Sequence, residues 1–242
     1  MEPYLYAFLG WLLGGFAGGV AGFGGMMTAL PVMTLGMTAT DAVLTCCITG
    51  APGCMQLAWL YRKNAVWSEM KWLWASCLPG CILGAYTLRV VPMRWLQIAI
   101  SLMIAVFIVL QMMQGKTSWK LRSTPPSLCA AGFASGFANS SVSIVGVPIG
   151  IYILLTRWDK DHARSTMAML FVMSGWITLA SQGAAGLYDM RHLCWAVAGV
   201  AGSVIGQWVG FRMGRHINQT IFVKFVLTFL TAAAVLLFWK AI

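Results

Sequence analysis

The stretch GGFAGGVAGFGGMMTALP, residues 14–31, places seven glycines in eighteen residues and ends on a proline. Glycine tolerates positive φ angles and lets two backbones approach closely, but it weakens the interior of a helix. A phosphate-binding loop is excluded, because the residues before the glycines do not form a strand and no Gly-Lys-Ser/Thr sequence follows them. The stretch belongs to the first long apolar run of the chain, so its glycines predict an interrupted helix.

The composition is that of a helical membrane protein. Of the 242 residues, 60% are hydrophobic and only 9% are charged, whereas a soluble domain carries about 25% charged residues. The mean hydropathy is +0.79. A bilayer-spanning helix needs about 20 apolar residues, and such runs recur along the whole chain. An all-α polytopic fold with about eight hydrophobic segments is predicted, at 4–23, 45–61, 72–91, 95–113, 129–156, 166–186, 193–211 and 221–239.

The chain contains an internal repeat. A shift of 117 residues places 15–31 on 132–148 without a gap, with identities at Gly15/Gly132 and Pro31/Pro148 among others. Two more blocks follow in the same order, DAVLTC resembling HARSTM and GCILGA resembling GSVIGQ. These blocks predict a first membrane repeat at 1–114, a basic linker at 115–126 and a second membrane repeat at 127–242.

Loop charge distinguishes two topologies. If each glycine-rich segment crosses the membrane once, the halves are parallel and the Lys and Arg residues divide eight to eight between the two sides. If each segment turns inside the membrane and leaves where it entered, the halves are inverted and the division is twelve to four. Cytoplasmic loops carry an excess of Lys and Arg. The sequence therefore predicts inverted repeats that each open with a re-entrant, discontinuous helix hairpin, and it places both termini on the non-cytoplasmic side.

The two hairpins predict a central anion site. Their tips are expected at 22–25 and 138–141, with the second arms beginning at Met26 and Val142. The first N–H groups of a helix are unpaired and favour negative charge together with the helix dipole. The predicted substrate-binding residues at the tips are Gly22, Gly24, Gly25, Met26, Thr28, Asn139, Ser140, Ser141 and Ser143. For glycines 14–19 an alternative stays open, because their small-xxx-small spacing is also typical of helix packing.

Five other residues are predicted to serve transport. Gln56 follows a span interrupted by glycines and a proline, and it is expected to line the cavity. Thr178 and Gln182 are more typical of interhelical hydrogen bonds. The gating or hinge candidates are Pro31 and Pro148, together with Asp41 and His162, which occupy equivalent repeat positions. Asp41 and His162 lie at predicted helix ends, so they also fit the simpler role of helix caps.

These features resemble the TauE/SafE family of sulfite-exporting membrane permeases. The resemblance rests on the glycine-rich segment running into ALP, then DAVLTCCITGAPG, YRKNAVW and LPGCILGA, and on a second copy from GFASGF through GVPIGIYILL. It implies a bacterial inner-membrane carrier of small sulfur-containing anions such as sulfite or sulfoacetate. It also maps the family's tips onto Gly22, Gly24 and Gly25 and onto Asn139, Ser140 and Ser141, where Asn-Ser-Ser departs from the glycine-rich pattern.

Other function classes stay open. Seven cysteines and sixteen methionines are compatible with a carrier for a soft metal ion such as Cu(I), or with a membrane-embedded thiol-redox protein. A carrier for another small anion and a non-transporting assembly partner are further alternatives. No HExxH, nucleophile elbow or ATP motif is present, so no catalytic residue, metal site or cofactor is predicted. The expected partners are a small anion and the lipid bilayer, without nucleic acid, and a homodimer is compatible with the sequence.

Overall fold

The computed structural model describes residues 2–21, 24–61, 66–112, 121–156 and 158–213, and every regular element in these ranges is an α-helix. The helices are α1 (Glu2–Ala21), α2 (Gly25–Met33), α3 (Ala39–Tyr61), α4 (Trp67–Val90), α5 (Met93–Met112), α6 (Pro125–Val142), α7 (Gly146–Thr156), α8 (Lys160–Ala184) and α9 (Met190–Met213). Within the described ranges, α4, the segment Ser165–Ala184 of α8, and α9 are long and apolar enough to cross a membrane. The all-helical prediction is confirmed for these ranges. The predicted segment 221–239 lies outside them.

The first glycine-rich segment folds as a helical hairpin, here called hairpin 1, made of α1 and α2. Gly24 has a left-handed backbone with φ 86° and precedes the first residue of α2. Gly36, just after α2, packs against the ring of Tyr6 near the start of α1, and Gly10 faces Met33. The chain therefore leaves hairpin 1 at the end where it entered.

The second glycine-rich segment forms hairpin 2, made of α6 and α7. The Leu121 amide donates to the Leu155 carbonyl at 2.8 Å, and the hydroxyls of Ser127 and Tyr152 lie 3.2 Å apart. These contacts join the start of α6 to the end of α7. The turn between the helices contains Ser143, which has a left-handed backbone with φ 58°. Hairpin 2 also enters and leaves at one end.

The tip of hairpin 2 lies further along the chain than the sequence predicted. Residues 138–141 belong to α6, which continues to Val142, and α7 begins at Gly146 rather than at Val142. The segment lacks the glycines that end α1, and the Ser141 hydroxyl donates to the Phe137 carbonyl at 2.7 Å within the helix. The predicted tip was therefore wrong by about one helical turn. In hairpin 1, α2 begins at Gly25, one residue before the predicted Met26.

Glycines bring two helix pairs into backbone contact. The most extensive pairings among the described helices are α1 with α9 and α4 with α6. A Cβ added to Gly19 would lie 2.6 Å from the Gln207 carbonyl oxygen, and one added to Gly84 would lie 2.6 Å from the Phe137 carbonyl oxygen. Gly15 and Gly19 are therefore packing residues, as the small-xxx-small alternative proposed, because only a hydrogen fits between the backbones.

The two hairpins open at opposite ends of the molecule. The chain leaves hairpin 1 and enters α3 near Asp41, and α3 then runs about 30 Å from Asp41 to Tyr61. Glu69, in the first turn of α4 beyond that far end, lies 3.3 Å from the hydroxyl of Ser123 just before α6. The open end of hairpin 2 is therefore separated from that of hairpin 1 by the length of a membrane-spanning helix.

Candidate functional site

The tips of the two hairpins meet inside the protein. The Ser143 hydroxyl lies 3.8 Å from the Met26 sulfur. A Cβ on Gly146 would lie 2.8 Å from the terminal methyl of Met27, so α2 and α7 approach start to start. They have 9 and 11 residues, which together make about 30 Å of helix. The two short helices thus match the thickness of one bilayer core, with their N-termini at the meeting point.

A thiol from α3 completes this contact. The Cys47 sulfur lies 3.5 Å from the Ser143 hydroxyl and 3.8 Å from the Asn139 carbonyl oxygen. Cys47, Asn139 and Ser143 are all buried. The sequence analysis predicted Met26, Asn139 and Ser143 at one site, and the structure places all three there. Cys47 was not among the predicted substrate-binding residues.

The Asn139 side chain has one polar atom without a described hydrogen-bond partner. Its side-chain nitrogen lies 3.1 Å from the Thr178 hydroxyl, whereas its side-chain oxygen is buried without a hydrogen-bond partner among the described residues. The Thr178 hydroxyl lies 3.5 Å from the Cys81 sulfur. A hydroxyl both donates and accepts, so the amide can turn either its oxygen or its nitrogen to Thr178. The opposite end of the amide is then available to a ligand as a donor or an acceptor.

A second hydrogen-bond chain fixes α6 to α8. The Gln182 amide donates to the Ser140 carbonyl at 2.7 Å, and the Tyr188 hydroxyl donates to the Gln182 oxygen at 2.6 Å. Burial raises the pKa of the Tyr188 phenol, which therefore stays a neutral donor in the physiological range. Thr178 and Gln182 thus form the interhelical hydrogen bonds that their positions predicted. Tyr188, in the turn before α9, was missed, because an aromatic residue in a short loop carries no pattern.

Trp11 lies on the hairpin 1 side of the site. Its side chain is 3% exposed, and the indole nitrogen has no hydrogen-bond partner in the described part of the chain. Gly50 of α3 separates the ring from the terminal methyl of Met26, and Gly199 of α9 lies against the opposite part of the indole. The position of Trp11 in the sequence is unusual, but the sequence analysis did not use it. Trp11 lies inside an apolar span, while most other tryptophans lie near span ends.

Other predicted site residues have contacts elsewhere than with Met26 and Ser143. The Thr28 hydroxyl donates to the Gly24 carbonyl at 3.1 Å, which stabilises the turn of hairpin 1. The Ser140 side chain lies against Gly84 of α4, and its hydroxyl is buried without a described partner. Gly25 packs on Gly14 and Trp11. Gly22 and the side chain of Gln56 lie outside the described residues.

The two aligned prolines occupy different places in their helices. Pro31 lies near the end of α2, which finishes at Met33, and its carbonyl accepts the Thr34 hydroxyl at 2.8 Å. Pro148 is the third residue of α7, where a missing N–H breaks no helical hydrogen bond. The two prolines differ in position because the helix break of hairpin 2 comes later in the aligned sequence than that of hairpin 1. Equivalent hinge roles for Pro31 and Pro148 remain a prediction.

Asp41 is held by the start of α9. One of its carboxylate oxygens lies 2.8 Å from His192 Nε2 and 3.4 Å from an Arg191 nitrogen. The Asp189 amide donates to His192 Nδ1 at 3.0 Å. Because Nδ1 is an acceptor, the proton between the ring and Asp41 is on Nε2. At the start of α3, the Thr38 hydroxyl accepts the Asp41 amide and so acts as the cap. The Asp41 carboxylate therefore has a role beyond that of a helix cap.

His162 forms a matching contact at the other end of the molecule. Its Nε2 lies 2.8 Å from a Glu69 carboxylate oxygen. The ring stacks on Trp158 with centroids 4.3 Å apart and planes 21° apart. The other Glu69 oxygen accepts the Ser123 hydroxyl at 3.3 Å. Both gating candidates that the repeat alignment paired are thus engaged in histidine–carboxylate contacts.

The structure does not assemble a metal site or a disulfide from the described side chains. Those residues include no cluster of three or more His, Cys, Asp or Glu side chains that could hold a metal ion. All seven cysteines are free thiols, and Cys77 and Cys81, one turn apart on α4, have sulfurs 3.8 Å apart.

The fold and the site define a class: a multi-pass helical membrane protein in which two helical hairpins, open at opposite ends, meet tip to tip. The chain matches the family described as Sulfite exporter TauE/SafE over residues 7–237. It belongs to that family, whose members are transporters rather than enzymes. No curated protein and no solved structure matches the chain.

Proposed function

We propose that this protein is a secondary transporter that exports small sulfur-containing anions, sulfite or an organosulfonate such as sulfoacetate, across the bacterial inner membrane. The substrate binds where the tips of hairpins 1 and 2 meet, and the halves rearrange to expose it to each side in turn. The observation that carries this proposal is the contact between Met26 and Ser143, where the starts of α2 and α7 meet.

An anion suits this site on two grounds. The first N–H groups of α2 and α7 have no partner within their own helices, and both helix dipoles present their positive ends to the meeting point. The Asn139 amide, whose side-chain oxygen has no described partner, can turn a further N–H toward the ligand. These are neutral donors, which bind an oxyanion without holding it as tightly as an arginine would.

An inverted repeat is the architecture that fits these observations. Hairpins 1 and 2 open at opposite ends, and the packing of α1 on α9 is matched by that of α4 on α6. The twelve-to-four division of Lys and Arg agrees with the same topology. Transporters with such repeats bind their substrate near the bilayer midplane, between discontinuous helices. On this topology both termini are non-cytoplasmic.

The test is ligand-dependent stability of the purified protein. Thermal unfolding is measured with sulfite, sulfoacetate, taurine, thiosulfate, sulfate and acetate, in the wild type and in Asn139→Asp. A ligand that binds only the folded state stabilises it by about 2.7 kcal/mol at a hundredfold excess over its Kd. Asn139→Asp keeps the shape of the side chain but adds a negative charge, so it should lose the stabilisation by sulfite or a sulfonate.

The matched control is Thr87→Ala. Thr87 donates its hydroxyl to the Leu83 carbonyl in an exposed hydrogen bond within α4, so this variant should respond to the anions as the wild type does. If folded wild-type protein is stabilised by none of these anions, the site is not an anion site and the proposal fails. Equal stabilisation of the wild type and Asn139→Asp would place the anion elsewhere.

A further inference from the structure

Each of the two histidine–carboxylate contacts joins one half of the chain to the other. Asp41 at the start of α3 contacts His192 at the start of α9, and His162 at the start of α8 contacts Glu69 at the start of α4. Each contact thus links a residue before the basic linker to a residue after it. The first half supplies the carboxylate in both contacts, on α3 in one case and on α4 in the other. The second half supplies the histidine, on α9 and on α8.

The contacts lie at opposite ends of the molecule. Along α8, His162 and Ala184 are about 33 Å apart, and His192 follows after a short turn. The Asp41–His192 contact lies at the open end of hairpin 1, and the Glu69–His162 contact at the open end of hairpin 2, where Ser123 also contacts Glu69. Any motion that opens one mouth between the halves must therefore loosen the contact at that mouth.

We propose that Asp41–His192 and Glu69–His162 are two proton-binding gates, one at each mouth of the transporter, and that the coupling ion is the proton. This proposal rests on the proposed transport function. An imidazole is the side chain best suited to bind and release a proton under physiological conditions, so each gate contains a group that can carry the coupling proton. Opening at either mouth is then linked to the uptake or release of one proton.

In the contact with Asp41, His192 accepts a hydrogen bond at Nδ1, so its ring is neutral. The facing charged groups are Asp41 of α3, Arg191 of α9 and Asp189 of the preceding turn, and Arg191 also lies 3.3 Å from Asp189. A proton added at Nδ1 would face the Asp189 amide, which now donates to that atom. Protonation therefore breaks the hydrogen bond that holds the first turn of α9, and His192, at 2% exposure, must move to accept it.

The gate at His162 places the ring between a carboxylate and an aromatic ring. Glu69 of α4 faces Nε2, and the Trp158 ring lies parallel to the imidazole, where a cation gains from the π face. The Tyr152 hydroxyl of α7 lies within hydrogen-bond distance of the Ser123 hydroxyl, which in turn contacts Glu69. The side chains of Lys160, Asp161 and Arg164, on the same turn of α8, lie outside the described residues. The surroundings of the two rings thus differ, because a backbone N–H faces Nδ1 of His192, whereas a carboxylate and a π face lie against His162.

The first arm of the test measures the protons directly. The chain contains three histidines, 162, 192 and 216, so ¹⁵N-histidine spectra of the protein in lipid nanodiscs can be assigned with His162→Gln, His192→Gln and His216→Gln. The expected result is a neutral Nε2–H ring for His192 in this conformation and reversible proton binding by both rings as the pH is changed. A cationic His192, or a neutral His162 with no titration between about pH 5 and pH 8, would overturn the proposal.

The second arm measures transport in proteoliposomes, with sulfite and sulfoacetate as probes. A single linked proton changes the rate by up to about tenfold per pH unit. Glutamine keeps a hydrogen-bond donor but cannot titrate, so His162→Gln and His192→Gln should lose this pH dependence and the response to an imposed proton gradient. His216→Gln is the matched control and should keep both. If His192→Gln does not fold, Asp41→Asn tests the same gate.

The two proposals fail in different ways. Transport with an unchanged pH profile in His162→Gln, His192→Gln and His216→Gln overturns the gates and leaves the transport function. The expected ring states without uptake of either probe overturn the proposed substrates and leave the gates, since the spectra do not depend on the anion.

Discussion

The Met26 sulfur and the Ser143 hydroxyl lie 3.8 Å apart, although 117 residues separate them along the chain. This separation equals the shift that aligns 15–31 with 132–148, so Met26 and Ser143 are equivalent positions of the repeat. In the proposed inverted repeat, a two-fold axis relating the halves would pass close to this contact between aligned residues. On that proposal, a substrate passing between the halves crosses the contact.

The left-handed backbone of Ser143 yields a first prediction. A β-branched residue at φ 58° strains the turn by about 1–2 kcal/mol, whereas glycine adopts this angle freely. Ser143→Val should therefore unfold at a lower temperature than Ser143→Gly in the same detergent. Both variants lose the hydroxyl, so the difference between them reports the backbone angle together with the fit of the valine side chain at this buried position. Equal unfolding temperatures would mean that the turn is not held in this conformation.

The contact between α1 and α9 predicts the effect of a single methyl group. A Cβ on Gly206 would lie 2.8 Å from the Phe16 amide nitrogen and would force the two helices apart. Overpacking of this kind costs about 1–3 kcal/mol, so Gly206→Ala should unfold at a lower temperature than the wild type.

The control for Gly206→Ala is Gly183→Ala, in the last turn of α8. A Cβ at Gly183 would have its nearest neighbour, the Tyr188 ring, at an ordinary 3.8 Å. Gly183→Ala should leave stability unchanged or raise it, because alanine favours the helix. A loss of stability equal to that of Gly206→Ala would show that the close approach of α1 and α9 is not what matters.

The fold was largely predictable because apolar length and glycine spacing act locally. The segment 45–61 lies within α3, and the break before Gly25 falls at the glycine cluster. The second break was misplaced because serine and asparagine are compatible with both a helix and a turn. Hydrogen bonds within the helix, such as that from Ser141 to Phe137, decided in favour of one more helical turn.

The site was only partly predictable because its contacts join distant parts of the chain. Asn139 and Ser143 carry polar groups at a predicted tip, so a local pattern identified them. Trp11, Cys47 and Tyr188 come from α1, α3 and the turn before α9, and no spacing along the chain connects them. The partners of the two gating candidates were missed for the same reason: the 2.8 Å contact from Asp41 to His192 spans 151 residues.

The Tyr188–Gln182 hydrogen bond predicts a pH-independent loss of stability. Tyr188→Phe leaves the buried Gln182 oxygen without its donor, at a cost of about 1–3 kcal/mol. Burial raises the pKa of the Tyr188 phenol above its unfolded value of 10.0, so its contribution is fully present below that value and is lost only as pH rises through the folded pKa. Unfolding temperatures at several pH values below 9 should therefore differ between wild type and variant by a constant amount. A difference that shrank between about pH 6 and pH 8 would mean that another group controls this hydrogen bond.

Side-specific cysteine labelling tests the inverted topology. In a cysteine-free background, Arg122→Cys and Met213→Cys should lie on the cytoplasmic side, whereas Arg94→Cys and Met190→Cys should lie on the opposite side; all four side chains are exposed. A membrane-impermeant maleimide should therefore label the second pair in intact spheroplasts and the first pair only after permeabilisation. Labelling of all four after permeabilisation controls for reactivity. Parallel halves would group Arg122 with Met190 and Arg94 with Met213, so that outcome would exclude inversion and with it a two-fold axis at Met26 and Ser143.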